Sequence, residues 1–164
     1  MKWFIGIDNG LNGGIVILDE NQQIINKFII PTIKSDNKTH YDINKIVKIF
    51  FDLPDRSSLN AILEKAHVRP ISGKRASFMS GFGYGLMQGI LESLSISYEI
   101  VKPQTWMKEL EITSTDEKGS ILFCQRKWPN EKWIATERCT KAHDGLTDAA
   151  CLALFGLKKN MVKK

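Results

Sequence analysis

Residues 3–30 hold three apolar runs separated by turn-forming clusters, which restricts the chain to folds that begin with a strand meander. Trp3 to Ile7 is apolar, and Asp8-Asn9-Gly10 and Asn12-Gly13-Gly14 then supply turn chemistry. Ile15 to Leu18 predicts a second strand, Asp19 to Gln22 a turn, and Ile24 to Ile30 a third strand. Residues 31–40 are polar and predict a loop. The period then changes: Ile43, Ile46, Val47, Ile49, Phe50 and Phe51 fall at helical spacing, ended by Pro54. Leu59 to Leu63 predicts a short buried strand that stops at Glu64, and a polar loop around Pro70 and Gly73 follows.

In the second half, Met79, Phe82, Leu86, Ile90, Leu91 and Leu94 predict a helix over 75–95 with Phe82 on its apolar face. Tyr98 to Val101 reads as a strand, 103–110 as a short helix or turn, and 116–128 as a helix. A polar connection over 129–142 leads to a last apolar helix, Gly145 to Leu157, and a basic tail. Strands first, then alternating helices and strands, predict an α/β domain with a mixed sheet. A length of 164 residues fits one domain, 1–157, followed by the tail 158–164. No apolar run approaches the roughly 20 residues that span a bilayer, and no secretory pattern follows Met1-Lys2. Three cysteines, an odd count, suit a reducing compartment, so the expectation is a cytoplasmic protein. Cys139 and His143, with Cys124 upstream, make one loose pair where structural zinc needs two, so buried unpaired thiols are expected. The net charge of +5 permits a polyanionic partner and identifies none.

Four acids stand where polar groups are least expected. Asp8 ends the first predicted strand, Glu64 ends the fourth, and Asp144 and Asp148 open the last helix on one face. Strand ends in α/β sheets are where sites collect. If the first and fourth strands are neighbours, all four carboxylates converge. Such a set, without a Cys or three-His ligand group, suits Mg²⁺ or Mn²⁺, and two such ions activate water and stabilise the leaving oxygen of a phosphodiester. Simpler roles stand beside this one: a turn start for Asp8, a solvated strand end for Glu64, an N-cap for Asp144, a polar helix face for Asp148.

The stretches IGIDNGLNGGIVILD (5–19), AILEKAHVRP (61–70), SGFGYGLMQGIL (80–91), VKPQTWMKEL (101–110) and HDGLTDAACLALFG (143–156) resemble the RuvC-like Holliday junction resolvases. The likeness is strongest to the phage, bacterial and chloroplast branch with a GFGYG helix start and a late HDG segment. It implies an RNase H-like fold: a mixed five-stranded sheet flanked by helices on both faces. It also implies a homodimer that nicks a four-way DNA junction on two symmetric strands. The cofactor implied is Mg²⁺, with Mn²⁺ able to substitute, two ions per site, and neither a membrane nor a small-molecule cofactor is involved. A bacterial cell or phage-infected host is the implied setting. The family's acids fall on Asp8, Glu64, Asp144 and Asp148, its catalytic lysine on Lys118 and a second basic position on Lys102. Asn9 replaces a common proline, and His67 stands where the bacterial branch carries an aromatic that enters the junction. Asp144 and Asp148 are spaced four apart rather than three, so either Asp144 or His143 can be the third ligand.

Between Lys65 and Leu91 lie Lys65, Arg69, Lys74 and Arg75 with no acid among them, directly after Glu64. Phosphate neutralisation dominates DNA affinity, so these four residues, with His67, Lys102 and Lys108, are the expected DNA contacts. Phe78, Phe82 and Tyr84 suit base stacking or core packing, and the apolar stripe favours core for Phe82. Gly81, Gly85 and Gly89 form a helix stripe whose cost, about 1 kcal/mol each relative to Ala, points to close approach of another helix, within the subunit or across a dimer. Two other readings compete: a protein that binds branched DNA without cutting it, and a broader branched-DNA nuclease. IGIDNG also resembles the first phosphate loop of sugar-kinase and actin-like ATPases, which need two such domains where this length holds one.

Overall fold

The computed structural model describes residues 2–54, 56–66, 73–113 and 119–162. Strands β1 (Trp3–Asp8), β2 (Gly14–Asp19) and β3 (Ile24–Ile29) form the expected antiparallel meander. β4 (Thr32–Ser35) and β5 (Lys38–Tyr41) follow, then α1 (Ile43–Phe51), β6 (Leu59–Glu64), α2 (Lys74–Ser93), β7 (Ser97–Val101), α3 (Pro103–Glu109), α4 (Gly119–Lys127) and α5 (Asp144–Val162). The main sheet has five strands in the order β3-β2-β1-β6-β7, with β1, β6 and β7 parallel. Among the described residues no helix is long and apolar enough to cross a membrane.

Strand alternation divides the core. Ile5 and Ile7 of β1, Ile15 and Ile17 of β2, and Ala61 and Leu63 of β6 face one way and bury against α1 and α2. Phe4, Val16, Leu18, Ile62 and Val101 face the other way and bury against α3, α4 and α5. By the same alternation Gly6 and Asp8 lie on the α5 face of β1, and Glu64 on the α5 face of β6. Residues 149–157 of α5 are buried throughout, so this helix is apolar all round because sheet and helices enclose it. α1 begins at Asp42, whose carboxylate accepts the Lys45 N–H as an N-cap.

Four expectations change. Residues 31–40 are not a plain loop: β4 and β5 make a separate two-stranded hairpin. Its single apolar residue on β4, Ile33, leaves no hydropathy period to read. On α2 the buried stripe is Met79, Gly83, Met87, Ile90 and Leu91, and Phe82 is 42% exposed. Gly83 continues the buried face without adding hydropathy, which rotates the apparent apolar side toward Phe82. The tail is helical as far as Val162, with Lys159 paired to Glu99 of β7. Finally, Cys124 and Cys151 are buried with sulfurs 3.8 Å apart, but Cys139 is exposed.

Candidate active site

Asp8 and Glu64 reach the same sheet edge because β1 and β6 are parallel neighbours in the register Ile7↔Leu63. Their polar surroundings fix them. Gly10 N–H donates to Asp8 Oδ1 at 3.1 Å, as the turn chemistry requires. Buried Asn9 donates its side-chain amide to the Glu64 carbonyl at 2.6 Å, tying the two strand ends together. Trp106 of α3 donates Nε1–H to Glu64 Oε1 at 2.9 Å. The Tyr41 hydroxyl sits at the root of the hairpin, 2.9 Å from the Asn9 carbonyl and 3.2 Å from that of Met79. A Cβ on Gly83 would lie 2.1 Å from that hydroxyl and 2.5 Å from the Asn9 carbonyl, so this glycine lets α2 close on the strand end. Apart from the Gly10–Asp8 turn, none of these contacts has a local sequence signal, because each joins residues far apart in the chain.

α5 brings the other acids. His143, not Asp144, caps this helix: Leu146 N–H donates to His143 Nδ1 at 3.2 Å. Asp144 is exposed in the first turn, and its Oδ1 accepts only the adjacent Gly145 N–H. Asp148, one turn on, is half-buried, and Ser120 of α4, whose hydroxyl lies 3.1 Å from that of Thr147, lowers its proton affinity. Gly145 packs on the first turn of the chain, where a Cβ would meet the Asn12 carbonyl at 2.3 Å. That contact brings the start of α5 up to the turn after Asp8.

The electrostatics follow from crowding anions in a poorly solvated place. Burial pushes the Asp8 carboxyl up to about 7, with the Asp148 and Asp144 charges adding to the rise and the Gly10 N–H opposing it. Burial, then the charge of Asp8, pushes Glu64 up to about 8 despite the Trp106 bond. Asp148 rises to about 6 through burial, held down by Ser120 and raised by Asp144. The Tyr41 phenol rises to about 12 through burial and the nearby Asp8. Among the described residues no three His, Cys, Asp or Glu side chains close into a ready-made metal cage. The donor set nevertheless fits hard divalent cations: all oxygen, all anionic, and mutually repelling until a cation lies between them.

Asp8, Glu64, Lys65, Ser80, Pro103 and Gln104 line one cleft of about 380 Å³. A larger hollow of about 470 Å³ between Leu110 and Phe123 has, among the described residues, Glu111, Arg126 and Lys127 as its charged lining and no converging acids. Of the expected DNA contacts, Lys65 lines the cleft, Lys102 precedes its Pro103 edge, and Lys74 and Arg75 are exposed in the first turn of α2. Lys108 lies at the far end of α3 from that edge. Lys118, His67 and Arg69 lie outside the described residues.

Removing the indole donor tests how much Glu64 depends on it. Trp106→Phe is expected to raise the Glu64 proton affinity by about one pKa unit, the scale of one hydrogen bond to a charged group. A carboxyl-carbon NMR titration of metal-free protein reads this directly, and an unmoved Glu64 midpoint would remove Trp106 from the site.

No family model matches the sequence, and no curated protein sequence matches it significantly. The fold is that of the RuvC structures, an RNase H-like α/β arrangement. Thermus thermophilus RuvC in complex with a Holliday junction substrate superposes with a TM-score of 0.68 at 10% identity, covering 98% of this chain and 96% of that one. A second Thermus thermophilus RuvC structure gives 0.59 at 11% identity over the same shares.

Proposed function

We propose that this protein is a divalent-metal-dependent endonuclease that resolves four-way DNA junctions by paired nicks, acting as a homodimer. The observation that carries the reading is the convergence of Asp8, Glu64 and Asp148, from β1, β6 and α5, on a fold shared with a RuvC seen on a Holliday junction substrate. Carboxylates pushed up to about 7, about 8 and about 6 are costly to keep in a fold unless a cation uses them.

In this reading Asp8, Glu64, Asp148 and exposed Asp144 hold two Mg²⁺ ions, with Mn²⁺ able to replace them. When bound, such ions supply neutralising charge and Lewis acidity to the phosphodiester. The chain's own groups prepare that step. Asn9 and Trp106 fix the backbone and carboxylate of Glu64, Ser120 lowers the proton affinity of Asp148, and Lys65 at the cleft attracts a phosphate. Lys118 is assigned to charge on the phosphate under attack. His143 keeps Nδ1 occupied as a cap acceptor, which favours Asp144 over His143 as the ligand from this end of α5. A Cβ on Gly81, Gly85 or Gly89 would meet nothing within 4 Å, so no part of this chain among the described residues uses the stripe. A second copy packed close along α2 would use it.

The deciding assay offers synthetic four-way junction and linear duplex of matched sequence, with Mg²⁺ or Mn²⁺. Paired nicks confined to the junction are expected. Equal cutting of the linear duplex would reduce the reading to a general nuclease, and tight junction binding without cutting would make the protein a binding module.

A further inference from the structure

Apart from Tyr41 at its root, which is buried in the core, the β4–β5 hairpin stands outside the core. Its strands pair only with each other, and every residue of β4 is exposed. Its turn is stiff, because Asp36 and Asn37 both take left-handed angles, with φ of 50° and 56°, as a tight two-residue hairpin turn requires. A lone two-stranded hairpin is marginal in water. This one is pinned at its root by Tyr41, whose hydroxyl meets the Asn9 carbonyl, and at mid-length by Arg75, which donates to the Thr39 carbonyl at 3.1 Å. The residue after Asp8 therefore fixes where the hairpin points.

The hairpin carries two exposed lysines, and the start of α2 beside it carries two more exposed cations. Lys27, Lys45, Lys48, Lys132 and Lys159 each pair with a carboxylate. Lys34, Lys38, Lys74 and Arg75 pair with none among the described residues, and the hairpin's own acid, Asp36, accepts from Ser35 instead. In the register Thr32↔Tyr41 and Lys34↔Thr39, Lys34 shares the face of Tyr41, the side turned toward α2. Lys34 and Arg75 thus flank Thr39, whereas Lys38, opposite Ser35, stands one step further out and on the other face of the hairpin. At about 3.3 Å per residue, the Ser35–Lys38 pair lies roughly 10 Å beyond the Tyr41 anchor. Cations without a carboxylate partner, on an arm anchored beside Asp8, suit a repeating row of anions.

We propose that the hairpin is a DNA-gripping arm: Lys34 and Lys38, with Arg75 at its flank, contact the phosphate backbone of a duplex arm entering the cleft. The inference deepens the proposed junction-cutting reading and rests on it. The arm sets affinity and register, and leaves the reacting phosphate to the acids.

Binding of fluorescent four-way junctions in EDTA, with short or long arms, tests this across a salt series. For long arms, Lys34→Gln/Lys38→Gln is expected to bind about tenfold more weakly than wild type near 0.15 M salt. The slope of log affinity against log salt should be shallower by about 2, one counterion per lost phosphate contact. Lys34→Arg/Lys38→Arg should restore both, and the short-armed junction should register little change. Equal affinity and slope for wild type and the Gln pair would overturn the arm and leave the nuclease reading intact. An Arg pair as weak as the Gln pair would also overturn it, since charge would then not be the cause. A wild type that binds no junction at all would overturn both.

Discussion

Asp8→Asn is expected to abolish junction cutting and, without divalent metal, to raise the melting temperature at pH 8. Both effects come from one carboxylate. Its side chain lies among protein atoms with Asp148 and Asp144 nearby, so the charged form is disfavoured and titration moves up to about 7. A folded-state pKa above the unfolded value near 4 means that the folded chain holds a proton the unfolded chain has released. Stability from that group is complete below about pH 4 and is lost as pH rises through about 7. Glu64 and Asp148 act with the same sign, through about 8 and about 6. The metal-free wild type should therefore melt at progressively lower temperature between pH 5 and pH 8. The asparagine keeps an oxygen for the Gly10 N–H and removes the charge, for a gain of about 1–3 kcal/mol at pH 8. At roughly 2–4 °C per kcal/mol for a chain of this size, calorimetry resolves the difference easily. Mg²⁺ should then stabilise wild type at pH 8 and the variant much less. A wild type whose melting temperature is flat or rising over that range would show that the acids do not repel one another as described.

Gly6→Ala should be the most destabilising single methyl in the protein. Gly6 lies on the α5 face of β1, and a Cβ there would sit 1.8 Å from the Ala149 carbonyl oxygen and 2.4 Å from the Ala153 nitrogen. Both are backbone atoms of a buried helix, so relief requires α5 to move away from the sheet. Overpacking of flexible side chains costs about 1–3 kcal/mol, and displacement of a central helix costs at least the top of that range. Urea unfolding should show a loss of about 3 kcal/mol or more, or no folded protein. A midpoint near wild type would show that α5 does not press on β1 at Gly6. Because Asp148 directly precedes Ala149 on that helix, the surviving folded fraction should also lose its Mg²⁺-induced rise in melting temperature.

These two residues also mark where the sequence was legible. Asp8 stood out because an acid closes an apolar run, and the parallel register of β1 with β6 brought Glu64 beside it. Gly6 carried no such sign, since the need for a bare Cα arises only when α5 arrives from the other end of the chain. Trp106, Tyr41 and Ser120 were illegible for the same reason: each touches the site across a long sequence separation. Phe82 was misassigned because hydropathy cannot register a buried glycine such as Gly83. The hairpin escaped because a strand pair outside the core needs no apolar alternation. The simpler role offered for Asp144, an N-cap, rested on residue type alone, and the ring of His143 occupies that position.

The route by which α5 completes the cluster bears on how the protein is made. Asp8 leaves the ribosome well before Asp148, and only docking of α5 against β1 joins them. A nascent chain therefore carries an exposed sheet edge with two acids and no fourth wall. On this geometry, synthesis itself delays assembly of the full set of acids until α5 has covered the sheet.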